Sequence, residues 1–194
     1  YVGPFQENGA LTGLKTLDLG EFEGPEDVAL DATGRIYAAM KGGAILRLTP
    51  EGTDPKVWAR TDGRPLGLEF DASGNLIVAD ALKGLLSIAE DGQVSVLARE
   101  ADGIPIDYAD DLDIGADGRI YFSDASTKFS AIRFGGPYPA SLLDMNEHGG
   151  HGRLLEYDPA TQQTRTLLSG LQFANGVAMD PDQRFVVVAE TGMY

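Results

Sequence analysis

The chain has no cysteine, two histidines and one tryptophan among its 194 residues. Without cysteine there are no disulfides, no thiolate nucleophile and no thiolate-ligated zinc. Positive charge is scarce too: 15 Lys and Arg stand against 30 Asp and Glu, a formal net charge of −15. No basic stripe is available to displace phosphate counterions, so nucleic acid is not an expected partner. Anionic membrane surfaces are disfavoured for the same reason, while the acidic surplus leaves room for a bound cation. No apolar run is long enough to span a bilayer. The sequence begins at Tyr1, not at a methionine, which is compatible with an upstream signal or anchor.

Glycine and proline are plentiful, at 25 and 10 residues, and apolar residues make up 43% of the chain. That combination fits a packed core of many short strands joined by tight turns. One pattern recurs four times: Pro25–Tyr37, Pro65–Val78, Ala109–Phe122 and Ala174–Val187. Each copy is an alternating run, an Asp/Gly-rich turn and a second β-branched or aromatic run, which reads as a hairpin. Further strand-like runs lie between copies, at Ala44–Leu48, Val57–Ala59, Leu85–Ile88, Val94–Ala98, Leu154–Tyr157 and Thr164–Leu168. The turns are spaced by 40 residues (Asp31 to Asp71), 44 (Asp71 to Gly115) and 65 (Gly115 to Asp180), the last step lengthened by a loop around residues 127–152. Four strands per repeat of roughly 40 residues is the period of a propeller blade. No amphipathic helical stretch of useful length stands out. The expected fold is an all-β propeller of four-stranded blades, with residues 1–194 forming one domain. About four blades are visible, as the N-terminal part of a six-bladed ring, with a four-bladed ring as the alternative.

Five places before each turn's first residue stand Glu26, Leu66, Asp110 and Asn175. Three of these carry oxygen donors, and pseudo-rotational symmetry brings them towards one point on the axis. Carboxylate and amide oxygens suit a hard cation such as Ca²⁺. The next register, Asp27, Gly67, Asp111 and Gly176, adds two acids that would serve a second ion or orient backbone groups. The plain alternative is local turn chemistry, because Asp and Asn before a strand often bond their own backbone. His148 and His151 sit in the long insertion, where histidine is a natural general base. A Gly-rich loop at a blade edge is the ordinary reading, and no third zinc ligand is spaced nearby. Trp58 is expected in the core.

Several segments carry a family resemblance: Arg64-Pro65-Leu66-Gly67-Leu68, Val78-Ala79-Asp80-Ala81, Tyr121-Phe122-Ser123-Asp124 with Ala125-Ser126, His151-Gly152-Arg153-Leu154-Leu155 and Phe173-Ala174-Asn175-Gly176-Val177. From about Pro25 onward the chain resembles strictosidine synthase-like proteins, the family that includes the adipocyte plasma membrane-associated protein. Its members are six-bladed propellers related to paraoxonases, gluconolactonases and diisopropylfluorophosphatase-like hydrolases. The resemblance implies an axial Ca²⁺ held at Glu26, Asp110 and Asn175, and a second, structural Ca²⁺ near Asp27 and Asp111. It also implies a further ligand from a later blade. Two departures stand out. Leu66 occupies the position of the paraoxonase catalytic histidine, and the cysteines of plant strictosidine synthases are missing.

The leading expectation is a Ca²⁺-dependent hydrolase of a lactone, ester or phosphoester, with Asp110 as nucleophile or base and a small molecule as substrate. The alternatives are an amine–aldehyde condensing lyase of the strictosidine synthase type, which needs a glutamate from a later blade, and a non-catalytic binding propeller with a structural ion. Relatives often carry an N-terminal anchor. The resemblance therefore implies an extracytoplasmic or membrane-anchored location, with any membrane contact made by a segment outside this chain.

Overall fold

A computed structural model describes residues 3–193 of the chain. The first blade consists of β1 (Val28–Leu30), β2 (Ile36–Ala39), β3 (Ala44–Leu48) and β4 (Lys56–Arg60). The second consists of β5 (Pro65–Phe70), β6 (Leu76–Asp80), β7 (Gly84–Ile88) and β8 (Val94–Ala98). A short hairpin, β9 (Glu100–Ala101) and β10 (Ile104–Pro105), follows it. The third blade contains β11 (Ala109–Ile114), β12 (Ile120–Asp124), β13 (Gly152–Asp158) and β14 (Gln163–Leu171), with the helix α1 (Pro137–Glu147) between its second and third strands. β15 (Ala174–Met179) and β16 (Val186–Glu190) form the first hairpin of a fourth.

Every sheet is antiparallel and its strands are paired in chain order. The inner strands β1, β5, β11 and β15 lie side by side around the axis. The fold is therefore an all-β propeller, as the repeat predicts. Equivalent turns are built from equivalent atoms. Asp31 Oδ1 accepts the backbone N–H of Thr33 and Arg35 at 2.9 and 3.0 Å, and Asp71 Oδ1 accepts those of Ser73 and Asn75 at 2.9 and 2.8 Å. Gly34 and Gly74 adopt φ of 82° and 84° in these turns, a conformation that costs glycine little.

The core lies between blades rather than within them. Leu68, Val78 and Leu86 of the second blade pack on Tyr37, Ile45 and Ala59 of the first, and Ile77, Ala79 and Leu85 pack towards Leu112, Phe122 and Leu155 of the third. Trp58 packs edge-on to Tyr37, their ring centroids 4.9 Å apart, at the rim of the first of these cores.

One expectation needs correction. The stretch taken as an insertion loop contains an 11-residue helix. Pro137 starts it, and His148 ends it in the left-handed conformation with φ 58°. Only Ala140 and Asp144 on the helix are buried, so no apolar stripe marks it in the sequence.

Candidate metal and substrate site

The inner strands carry a shared irregularity where the donor residues stand. Register shifts interrupt β5 between Pro65 and Gly67, β11 between Ala109 and Leu112, and β15 between Ala174 and Val177. The bulges re-aim the residues they leave unpaired, which are Leu66 in β5, Asp110-Asp111 in β11 and Asn175-Gly176 in β15. In the first blade the pair Glu26-Asp27 precedes β1 and is held to β2 by bonds from Glu26 N to Ala39 O (3.1 Å) and from Ala39 N to Asp27 O (3.0 Å).

All five candidate residues reach one place. Glu26, Asp27, Asp110, Asp111 and Asn175 line a cavity of about 200 Å³ together with Leu66 and Gly67. Asp110 is 7% exposed. Burial, followed by the negative charges of Glu26 and Asp111, pushes its carboxyl up to about 8, and Arg64 acts in the opposite direction. A cation here would offset the charge that burial opposes, so the donor chemistry fits a hard ion. Glu26 itself leans outward, its Oε2 3.4 Å from the Arg64 guanidinium. Among the described residues no three acidic, histidine or cysteine side chains are already gathered as a metal cluster. The set that fits is instead two acids and an amide.

Asp27 and Asp111 occupy the same cavity but bond backbone groups. Asp27 Oδ2 accepts Leu68 N–H at 2.8 Å, and Asp111 Oδ2 accepts Val177 N–H at 2.8 Å. Each carboxylate thus ties its inner strand to the next blade. The Gly positions between them permit this approach, because a Cβ on Gly67 would lie 2.8 Å from Asp111 Cα.

Above the cavity opens a larger pocket of about 820 Å³, which Glu26, Asp110 and Asn175 also line. Leu66, Tyr108 and Phe173 form part of its wall, and Tyr138 and Met145 of α1 cover one side. Tyr108 and Phe173 pack edge-to-face with centroids 5.3 Å apart. Neither histidine lines either space. His151 Nε2 lies 2.9 Å from Glu147 Oε1, and His148 caps α1. Arg64 and the covering helix are the parts that residue patterns did not reveal. The only signal was the position of Arg64, just before the second inner strand.

The propeller fold is shared with solved structures. A gluconolactonase from Xanthomonas campestris superposes with a TM-score of 0.68 at 20% identity, over 86% of this chain and 54% of that one. The calcium-binding protein regucalcin from Agrobacterium tumefaciens superposes with a TM-score of 0.63 at 14% identity, over 86% of this chain and 50% of that one. At these identities the likeness concerns the fold alone. Sequence relationships are narrower. Residues 110–194 match the strictosidine synthase family, and residues 3–48 match the N-terminal region of strictosidine synthase-like proteins. Strictosidine synthase-like protein 4 of Arabidopsis thaliana is 38% identical over 198 residues, spanning 99% of this chain and 52% of that protein. The adipocyte plasma membrane-associated protein of Rattus norvegicus is 35% identical over 207 residues, spanning 98% and 53%. The chain belongs to the strictosidine synthase-like family, and it spans about half the length of these curated relatives.

Proposed function

We propose that Glu26, Asp110 and Asn175 hold a Ca²⁺ ion, and that the protein is a Ca²⁺-dependent hydrolase of a lactone, ester or phosphoester. One observation carries this reading: oxygen donors from three blades line a single small cavity at the floor of a substrate-sized pocket. The names of two structural neighbours, a gluconolactonase and a calcium-binding regucalcin, support it. When bound, the ion supplies Lewis-acid polarisation of the carbonyl or phosphoryl oxygen.

The chain's own residues do the rest. Asn175 and Glu26 would hold the ion, with Glu26 released from its contact with Arg64. Asp110, buried at the cavity, accepts a proton from water or attacks directly. Leu66, Tyr108 and Phe173 form the apolar wall that excludes bulk water. Asp27 and Asp111 hold the inner strands in register beneath, and a second, structural ion near them belongs to the same proposal. The expected result is loss of esterase or lactonase turnover in chelator, and in Glu26→Gln and Asn175→Ala. Full turnover in chelator contradicts the proposal.

The family name favours a second reading, condensation of an amine with an aldehyde. Incubation with tryptamine and an aldehyde separates the two, because that product would form in chelator. The adipocyte relative's name supports an extracytoplasmic, membrane-tethered setting through a segment outside this chain. Among the described residues no helix is long and apolar enough to cross a membrane.

A further inference from the structure

The larger pocket is chemically mixed. Part of its lining is apolar: Leu66, Leu82, Tyr108, Met145 and Phe173 face it and belong to one packed cluster that continues beneath α1. The same pocket is also lined by Lys41, from the β2–β3 turn, and Arg64, from just before the second blade. They flank Gly24, whose Cβ, if present, would lie 3.3 Å from Lys41 Cβ and 4.0 Å from an Arg64 guanidinium nitrogen. In a chain with 30 acids and 15 bases, two adjacent cations at a pocket mouth run against the overall charge.

Neither cation is saturated. Lys41 has no carboxylate within ion-pairing distance among the described residues, although its backbone N–H is fixed to Glu23 O at 3.1 Å. Arg64 is largely buried, its side chain 16% exposed, and it donates to Gly24 O at 3.0 Å. Its one carboxylate, Glu26, stands 3.4 Å away and is the residue the ion would draw inward. A guanidinium half-withdrawn from water and deprived of its carboxylate is a strong receptor for an oxyanion.

We infer that the pocket receives an amphipathic anion: an extended apolar body against the Leu82–Phe173 side, with a carboxylate or phosphate group on Lys41 and Arg64. This inference rests on the reading of this pocket as the substrate site, and it names the substrate class. The anionic group binds and orients the substrate without reacting, on a cation, Arg64, that stands beside Glu26 of the proposed ion site.

The test is titration calorimetry on the intact protein with three probes of one chain length: decanoate, decyl phosphate and decanol. Chelator is present throughout, so that no ion contributes to anion binding, and every variant is made in a Glu26→Gln background, which frees Arg64 of its carboxylate as the ion would. Both anions, or the one whose geometry fits, should bind at least about tenfold more tightly than decanol. Lys41→Glu and Arg64→Gln should each remove most of that preference and leave decanol unchanged, whereas Leu82→Asp should weaken all three. Preference for decanoate alone identifies a carboxylate ligand, and preference for decyl phosphate alone a phosphate ligand. Decanol binding as tightly as both anions, anion binding unaffected by Lys41→Glu, or no binding of any probe overturns the inference. Failure of the hydrolase reading would show separately, as absent turnover with anion binding intact.

Discussion

The second and third blades share a hairpin and diverge at two places. At the axis the third presents Asp110-Asp111 where the second presents Leu66-Gly67. At the far end of the second strand, Asp80 and Asp124 do the same job, accepting the backbone N–H of Arg64 at 2.9 Å and of Tyr108 at 3.0 Å. Their remaining oxygens differ. Asp124 Oδ2 takes two bonds from Arg153, at 3.0 and 2.6 Å, whereas Asp80 Oδ2 is buried without a partner. The residue paired with Asp80 on the third strand is Gly84, and that paired with Asp124 is Arg153. Gly84 is confined by φ 83° and by Ala98 O where a Cβ would go, so no arginine can stand there. The repeat fixes the carboxylate that staples each hairpin, and local backbone geometry decides whether it has a counter-ion. The axis shows the same division of labour: one blade gives its inner turn to close packing, and its neighbour gives it to charge.

Substitution at the staples should separate the blades most. Asp124→Asn leaves Arg153 buried without its counter-charge and should cost about 3–5 kcal/mol in denaturant unfolding. Asp80→Asn keeps the acceptor for Arg64 N–H and should cost no more than about 1 kcal/mol. Equal losses would mean that Arg153 does not set the difference. Next in size is Gly67→Ala, which pushes a methyl group onto Asp111 Cα. It should cost about 1–3 kcal/mol by the same measurement, and a neutral result would show that the two inner strands are free to move apart.

The smallest contrast lies in the turns. Hydrogen bonding from Arg119, first from its backbone N–H and then, against some burial, from its guanidinium, holds the Asp117 carboxyl below its usual range. A depressed carboxyl contributes stability above its unfolded value of about 3.9, and loses it as pH falls through the folded value. Asp117→Asn should therefore flatten the acid limb of the thermal stability profile below about pH 4. Arg119→Gln keeps the backbone N–H and removes only the guanidinium, so it should flatten the limb less than Asp117→Asn. Equal flattening by both would assign the whole effect to the guanidinium.

Much of this comparison was legible in the sequence. The repeated Asp-x-x-Gly turns placed the hairpins, and counting back from them brought Glu26, Asp110 and Asn175 into one register. Strand ends came out within a few residues, as in Val57–Ala59 against the observed Lys56–Arg60. The remainder depends on contacts between residues distant in the chain. Arg153 meets Asp124 across 29 residues, through strand register alone. The covering helix is hidden because it buries Ala140 and Asp144 and leaves Leu142 and Leu143 exposed, so it has no stripe to detect. Arg64 and Lys41 look like ordinary turn cations until the blades bring them to one rim. Asp27 and Asp111 had two readings at the outset, ion ligands or backbone braces; each accepts one backbone N–H from the next blade, a bond that fits both readings.

Calcium binding to the intact, chelator-treated protein tests the central claim most directly, because it needs no knowledge of the substrate. Calorimetric titration should reveal a site in the wild type that is weakened at least about tenfold by each of Glu26→Gln, Asp110→Asn and Asn175→Ala. Thermal stability of the wild type alone should rise with calcium concentration. A wild-type protein that takes up no calcium, or three variants that bind it as tightly as the wild type, would contradict the assignment of these donors.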